Sequence, residues 1–128
     1  MLILDTCAIL WLADDQHALS PAARSAITKH AGAIYVSAIT AFEIALKVRK
    51  KRLELPMPPD RWYQKALELH GLVEIPIAGK DAVTAAHLPL IHNDPCDRFI
   101  LATALNRNLA IITADAVFAT YPGANVIW

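Results

Sequence analysis

The stretch Phe99-Ile-Leu-Ala-Thr-Ala-Leu105, followed shortly by Leu109-Ala-Ile-Ile112, decides the fold class. The first segment is apolar on nearly every side, which predicts a buried central helix, and its alanines allow neighbouring backbones to approach closely. The second segment is short and uniformly apolar, which is typical of a strand covered by helices on both faces. A helix that leads into such a strand favours a parallel sheet built from β-α-β crossovers.

The rest of the chain repeats this alternation, without an internal repeat, a low-complexity tract or a linker. The predicted strands are Leu2–Leu4, Ala33–Val36, Leu72–Ile75, Leu109–Ile112 and Ala124–Ile127. The predicted helical segments are Ala8–Leu12, Pro21–Lys29, Ala41–Lys50 (beginning at Ser37 or Thr40), Asp60–Gly71, Lys80–His87, Cys96–Asn106 and the turn Ala116–Thr120. We therefore expect one α/β domain over residues 1–128, a three-layer α/β/α sandwich around a central, mostly parallel sheet.

Composition excludes several classes of protein. With 55% hydrophobic and 19% charged residues the chain is not disordered. Its apolar excess indicates an oligomer or a captured partner. No apolar stretch approaches the ~20 residues of a membrane span, and Asp5 interrupts the apolar start that a signal peptide would need. Two cysteines and no export signal favour the cytoplasm.

Five acidic residues occupy positions that the predicted topology brings to one edge of the sheet. Asp5 follows the first strand, Asp115 follows the fourth, Asp94 and Asp97 begin the buried helix, and Glu43 lies in the helix after the second strand. Parallel open sheets bind ligands at this carboxyl edge. Each acid also has a purely structural explanation, as a helix cap or, for Glu43, as part of a capping box with Thr40 or an ion pair with Lys47. Clustering of all five acids at one edge favours a ligand-binding site over five separate structural roles.

Mutually repelling carboxylates must take up protons or hold a cation. An all-oxygen ligand set with no convergent His or Cys favours Mg²⁺ or Mn²⁺ over zinc. Such an ion supports hydrolysis of a phosphate ester by an activated water. The basic run Lys47, Arg49, Lys50, Lys51 and Arg52 continues the helix that carries Glu43. It is either a solvated helix end or a binding surface for a phosphate backbone.

Other candidate residues have simpler interpretations. We interpret Cys7 and Cys96 as small buried side chains, and His92 as a hydrogen-bonding residue of a loop or the core. Trp62 is predicted to be a core or interface residue, with stacking of Trp62 and Tyr63 on nucleic-acid bases as the lesser alternative. Only four glycines occur and none forms a phosphate loop, which excludes nucleotide binding of the P-loop or Rossmann kind.

The motifs together resemble a known family. The matching segments are Leu4-Asp-Thr-Cys-Ala8, Thr40-Ala-Phe-Glu-Ile-Ala45, Asp94-Pro-Cys-Asp-Arg-Phe-Ile-Leu-Ala-Thr-Ala104 and Thr113-Ala-Asp115. In order and spacing they resemble the PIN-domain ribonucleases, specifically the VapC-type toxins of type II toxin–antitoxin modules. The resemblance covers nearly the whole chain. It departs at Cys96, where relatives commonly carry an aromatic residue.

The resemblance implies a function and a set of site residues. The function is Mg²⁺- or Mn²⁺-dependent endonucleolytic cleavage of RNA by a homodimer that a VapB-type antitoxin inhibits. The implied catalytic and metal-binding residues are Asp5, Glu43, Asp97 and Asp115, with Asp94 less certain as a ligand and Thr113 as a hydroxyl that positions water or Asp115. We expect Arg98 to bind substrate together with the basic run.

Two alternatives remain open. A phosphatase of the haloacid-dehalogenase type also carries an aspartate after its first strand, but it requires a second Asp where this chain has Cys7. It also requires a downstream Lys that is not evident. A non-catalytic PIN-like module that binds RNA or protein is the other alternative. It gives no reason for the chain to retain mutually repelling acids.

Overall fold

The sheet at the centre of the molecule is parallel throughout. In the computed structural model, which describes residues 1–128, five strands lie in the order β3-β2-β1-β4-β5. They are β1 Leu2–Leu4, β2 Ile34–Ser37, β3 Val73–Ile75, β4 Ala110–Ile112 and β5 Val126–Ile127. Leu4 in the middle strand pairs with Val36 on one side and Ile112 on the other. Because every strand points the same way, all five carboxyl ends lie at one edge.

Six α-helices connect the strands. They are α1 Thr6–Asp14, α2 Pro21–Lys29, α3 Ala38–Arg49, α4 Pro59–His70, α5 Gly79–His87 and α6 Pro95–Arg107, with short 3-10 turns at Gln16–Ala18 and Ala116–Thr120. None of these helices has both the length and the apolar character needed to cross a bilayer.

Two apolar cores, one on each face of the sheet, confirm the three-layer sandwich. Alternate residues of β1 point to opposite faces. Leu2 and Leu4 join a core with α1, α2, α3 and α4, whereas Ile3 joins a second core built mainly on α6. Seven of the thirteen residues of α6 are buried, as its apolar sequence predicts. Trp62 and Tyr63 are buried in the first core, which confirms a core position for Trp62 and leaves neither ring free to stack on bases.

Several helices begin before their predicted first residues. Helix α1 begins at Thr6, two residues before the predicted Ala8, because the Asp5 carboxylate accepts the Ala8 N–H and caps it. Helix α3 begins after Ser37, whose hydroxyl accepts the Ile39 N–H, so the capping box between Thr40 and Glu43 is not formed.

Helix α4 begins before the predicted residue. Its first residue is Pro59, so that Asp60 lies in the first turn and is not the cap. Proline is favoured at this position since its fixed φ suits the helix and its missing N–H would have no partner there.

Candidate active site

The five acids predicted from the sequence line one cavity at the carboxyl edge of the sheet. The cavity has a volume of about 380 Å³, and its lining residues are Asp5, Thr6, Cys7, Trp11, Glu43, Lys47, Asp94, Asp97, Ala114 and Asp115. The parallel sheet explains this convergence. Asp5 and Asp115 follow the adjacent strands β1 and β4, Glu43 lies on the helix that leaves β2, and α6 begins at the edge where β4 will end.

Asp5 and Thr113 form the buried floor of the site. Asp5 is 6% exposed, and its two carboxylate oxygens accept the Ala8 N–H at 2.8 Å and the Thr113 hydroxyl at 2.6 Å. The Thr113 oxygen accepts the Asp115 N–H at 3.0 Å and so joins two of the acids. Burial raises the pKa of Asp5, and the charges of Glu43 and Asp115 raise it further against these two hydrogen bonds.

Glu43 reaches the cavity from α3 and is held at both oxygens. Its Oε1 accepts the Thr6 hydroxyl at 2.6 Å, and its Oε2 lies 3.7 Å from Lys47 Nζ, one turn along the same helix. Sequence analysis missed Thr6. Its position directly after Asp5 could have indicated that it lies at the same edge, but its partner is 37 residues away.

Asp94 and Asp97 enter from the first turn of α6. Asp94 caps the helix by accepting the Cys96 N–H at 2.9 Å. Burial raises the pKa of Asp97 to about 7, and repulsion by Asp94 and Glu43 adds to this effect, which His92 partly opposes. The site therefore resists a full set of negative charges as long as no cation neutralises them.

Capping and clustering occur together in this site. Asp5, Asp94 and Asp115 each cap a helical segment through Oδ1, and the second oxygens of Asp5 and Asp115 accept hydrogen bonds from Thr113 and His92. A carboxylate oxygen has two lone pairs, so these contacts fix each carboxylate while leaving capacity to bind a cation. The capping hydrogen bonds that give each of these aspartates a structural role therefore also hold its carboxylate in the site.

His92 joins the acids of the site, which its predicted role as a hydrogen-bonding residue of a loop or the core did not include. Its Nε2 lies 2.9 Å from Asp115 Oδ2 and 3.0 Å from Asp97 Oδ2. The expectation that no histidine converges on the acids is therefore wrong. The sequence signal was its closeness to Asp94, but the contact depends on how the segment before α6 folds back over the sheet edge.

The basic residues predicted to bind substrate divide into three groups, of which Arg98 is the third. Lys47 lines the cavity with the acids. Arg49, Lys50, Lys51 and Arg52 are exposed at the end of α3 and in the turn beyond it.

Arg98 does not fit the predicted role in substrate binding. It is 8% exposed, and its guanidinium donates to the backbone carbonyls of Ala85, Leu88, Pro89 and His92 at 2.7–3.2 Å. With these bonds made, it holds the segment before α6 in place, and four of its five N–H groups are committed to backbone carbonyls.

The donor set fits a hard divalent cation. Five carboxylates face one lysine ammonium and one imidazole in the same region. The contacting atoms of His92, Asp97 and Asp115 lie within 4.8 Å of one another. Two full charges at that separation repel by roughly 3.5 kcal/mol at an effective dielectric constant of about 20. Carboxylate oxygens are the ligands that Mg²⁺ and Mn²⁺ prefer. Cys7 also lines the cavity, but burial raises the pKa of its thiol and so disfavours the thiolate that zinc would need.

Fold and site together define a class of α/β protein in which acids at the carboxyl edge of a parallel sheet form one site. The PIN-domain family model matches residues 2–124, and the chain belongs to this family. Over 114 residues it is 34% identical to Ribonuclease VapC22 of Mycobacterium tuberculosis, covering 88% of this chain and 85% of that protein. The family match decides against the phosphatase alternative.

Solved structures share the fold at low sequence identity. A VapBC complex from Salmonella typhimurium bound to DNA matches with a TM-score of 0.70 and 19% identity, covering 98% of this chain and 97% of that one. FitAcB from Neisseria gonorrhoeae matches with a TM-score of 0.64 and 22% identity, covering 98% and 96%. At these identities the likeness concerns the fold alone.

Proposed function

We propose that this protein is a metal-dependent endoribonuclease that acts as the toxin of a toxin–antitoxin pair. The observation that carries the proposal is the convergence of five acids, from separate segments of the chain, on one cavity. Membership of the PIN-domain family and the 34% identity to a ribonuclease named VapC22 support it. The acids alone would repel RNA, so their convergence makes sense for a nuclease only with a cation between them and the phosphate.

Asp5, Glu43, Asp97 and Asp115 would hold Mg²⁺ or Mn²⁺, with Asp94 as a less direct contributor. A divalent ion bound there would neutralise charge developing on the phosphate and make a water more acidic. The raised pKa values of Asp5 and Asp97 support this assignment, since both are carboxylates whose charge the folded protein itself does not compensate.

The remaining side chains would position these acids and the substrate. Thr113 fixes Asp5 and the backbone of Asp115, and Thr6 fixes Glu43. Lys47, at the wall of the cavity, is placed to contact a phosphate oxygen of the bound RNA. Arg49, Lys50, Lys51 and Arg52 are exposed and extend the positive charge away from the cavity, in the manner of a surface that follows a phosphate backbone.

Exposed apolar side chains support the proposed partners, a second copy of this chain and a VapB-type antitoxin. Large apolar residues with 46–87% exposure are Phe42, Leu69, Val73, Ile77, Val83, Leu90 and Ile91, besides the terminal Met1 and Trp128. So many on one small protein favour covered surfaces in the working assembly. We place this action in the cytoplasm, where RNA and antitoxin would meet the toxin.

Controlled expression in bacteria tests the proposal. The wild-type protein and Asp5→Asn are induced at equal levels, growth is followed, and the 5′ ends of cellular RNA are mapped. We expect growth arrest and new RNA ends with the wild type only, and rescue when the cognate antitoxin is expressed with it. New ends that appear equally with Asp5→Asn, or no new ends at all, would support the non-catalytic binding module instead.

A further inference from the structure

The His92 imidazole lies between two acids that come from different elements. Its Nε2 makes a hydrogen bond of 2.9 Å to Asp115 Oδ2, beyond β4, and lies 3.0 Å from Asp97 Oδ2, on α6. The Asp97 carboxylate makes no other polar contact within hydrogen-bonding distance in the structure. His92 is therefore the group that links the two elements at the mouth of the cavity.

The backbone of Asp94 fixes which ring nitrogen carries the proton. The Asp94 N–H donates to His92 Nδ1 at 3.2 Å, so Nδ1 presents its lone pair there. The proton of the neutral ring then lies on Nε2, which points it at the two carboxylates. In this arrangement His92 is a donor to the acids and has no lone pair to offer a metal ion.

His92 is held by three further contacts, two at its backbone and one at its ring. Its backbone N–H donates to the Tyr121 hydroxyl at 2.7 Å, and that hydroxyl donates to the Pro89 carbonyl at 3.0 Å. Its carbonyl accepts from the buried Arg98 guanidinium at 3.2 Å. Its ring packs edge-on against Phe118, with centroids 5.7 Å apart. A surface loop histidine needs none of these contacts, which together fix the backbone of His92 and pack its ring against Phe118.

We propose that His92 is a positioning residue, whose Nε2–H draws the Asp97 and Asp115 carboxylates into the convergent arrangement that receives a divalent cation. This inference rests on the proposed function, because it assumes that these two acids bind the ion. The Nε2–H group of His92 faces two carboxylates of like charge, whose mutual repulsion would otherwise turn them away from each other. Residues that orient the ligands of a metal in this way typically contribute ten- to a hundredfold to its affinity.

Two substitutions that place a side-chain amide at different distances from the backbone provide the test. In His92→Gln the side-chain amide nitrogen falls near the place of Nε2, whereas in His92→Asn it falls near Nδ1 and cannot reach the carboxylates. His92→Leu removes the donor at similar volume, and His87→Leu is the control at an exposed histidine at the end of α5. Mn²⁺ affinity of the full chain is measured by electron paramagnetic resonance, with thermal melting of the metal-free proteins to confirm folding.

We expect His92→Gln to bind Mn²⁺ within about threefold of the wild type, and His92→Asn and His92→Leu to bind at least tenfold more weakly. His87→Leu should match the wild type. If His92→Leu does not fold, the Gln and Asn variants still give the comparison. Equal affinities for all variants, or a loss in His92→Gln as large as in His92→Asn, would overturn the proposal.

Cleavage of RNA by the wild type is measured separately, so that the two proposals can fail independently. Wild-type cleavage with unchanged Mn²⁺ affinity in the variants refutes the role of His92 alone. The predicted order of affinities without any cleavage refutes the ribonuclease function and leaves His92 as the residue that positions a metal site.

Discussion

Replacing Asp97 by Asn should stabilise the metal-free protein, by an amount that grows as pH rises from about 4 and is complete above pH 7. Burial and the neighbouring acids raise the pKa of Asp97 from 3.8 to about 7. Between these values the folded protein holds a proton that the unfolded chain has lost, so the free energy of unfolding falls as pH rises. Above pH 7 the folded protein carries the full cost of the charge. Asn is neutral at every pH and avoids it.

The size of this effect follows from the shift. A shift of about three pKa units, at about 1.36 kcal/mol each, limits the gain in free energy of unfolding to roughly 4 kcal/mol. The Asp97 side chain is 19% exposed and water screens part of the repulsion, so we expect about half of this, roughly 2 kcal/mol. For a domain of this size that corresponds to an increase in Tm of about 8 °C.

Thermal melts in EDTA at pH 4 and pH 8 measure the difference. We expect Asp97→Asn to melt about 8 °C higher than the wild type at pH 8 and within about 2 °C of it at pH 4, where the unfolded chain also keeps much of its proton. Asp15→Asn is the matched control, because Asp15 is exposed and its side chain caps no helix. The same increase at both pH values, or a decrease at pH 8, would refute the electrostatic reasoning.

Three further predictions concern catalysis, RNA binding and stability. Asp5→Asn should reduce RNA cleavage more than a hundredfold while the circular dichroism spectrum stays native, and near-normal cleavage would remove Asp5 from the site. Neutralising Lys50, Lys51 and Arg52 together should weaken RNA binding and lower the slope of log affinity against log salt by about 2 for single strands; an unchanged slope would exclude these residues from binding. Arg98→Met should lower the free energy of unfolding by about 3 kcal/mol, since four carbonyls lose their donor, and urea denaturation matching the wild type would contradict the structural role given to it.

Much of the fold could be predicted because its signals are local. Uniformly apolar strands and the apolar α6 require cover on both faces, and that requirement alone leads to a three-layer arrangement. The helix starts were less predictable, because several neighbouring residues can cap. Ser37 and Thr40 were equal candidates in the sequence, and only the path of the chain out of β2 selects Ser37.

The acids of the site were predictable for a topological reason. Parallel strands deliver the residues that follow them to one edge, so Asp5 and Asp115 could be brought together without knowing any side-chain contact. Their partners could not be predicted in this way. Thr6 and His92 contact acids that are 37 and 23 residues away, and short-range patterns carry no information on such contacts.

Arg98 shows the limit of residue type as a guide to a site. A positive residue beside an acidic motif was assigned to substrate, yet its side chain turns inward and binds backbone carbonyls. Residue type does not determine the direction of a side chain on a helix most of whose residues are buried. The same apolar surroundings that predict α6 to be central also make a substrate role for its arginine unfavourable.

Acids from distant parts of the chain form one site, and we propose that this site works only with a divalent ion. The most direct measurement is cleavage of an end-labelled RNA by the purified protein after its metal has been stripped with EDTA. We predict no cleavage by the stripped protein, recovery when Mg²⁺ or Mn²⁺ is added, and no recovery for Asp5→Asn or Asp97→Asn. Cleavage that persists in EDTA, or that returns equally in these variants, would contradict the proposed metal dependence of the acidic site.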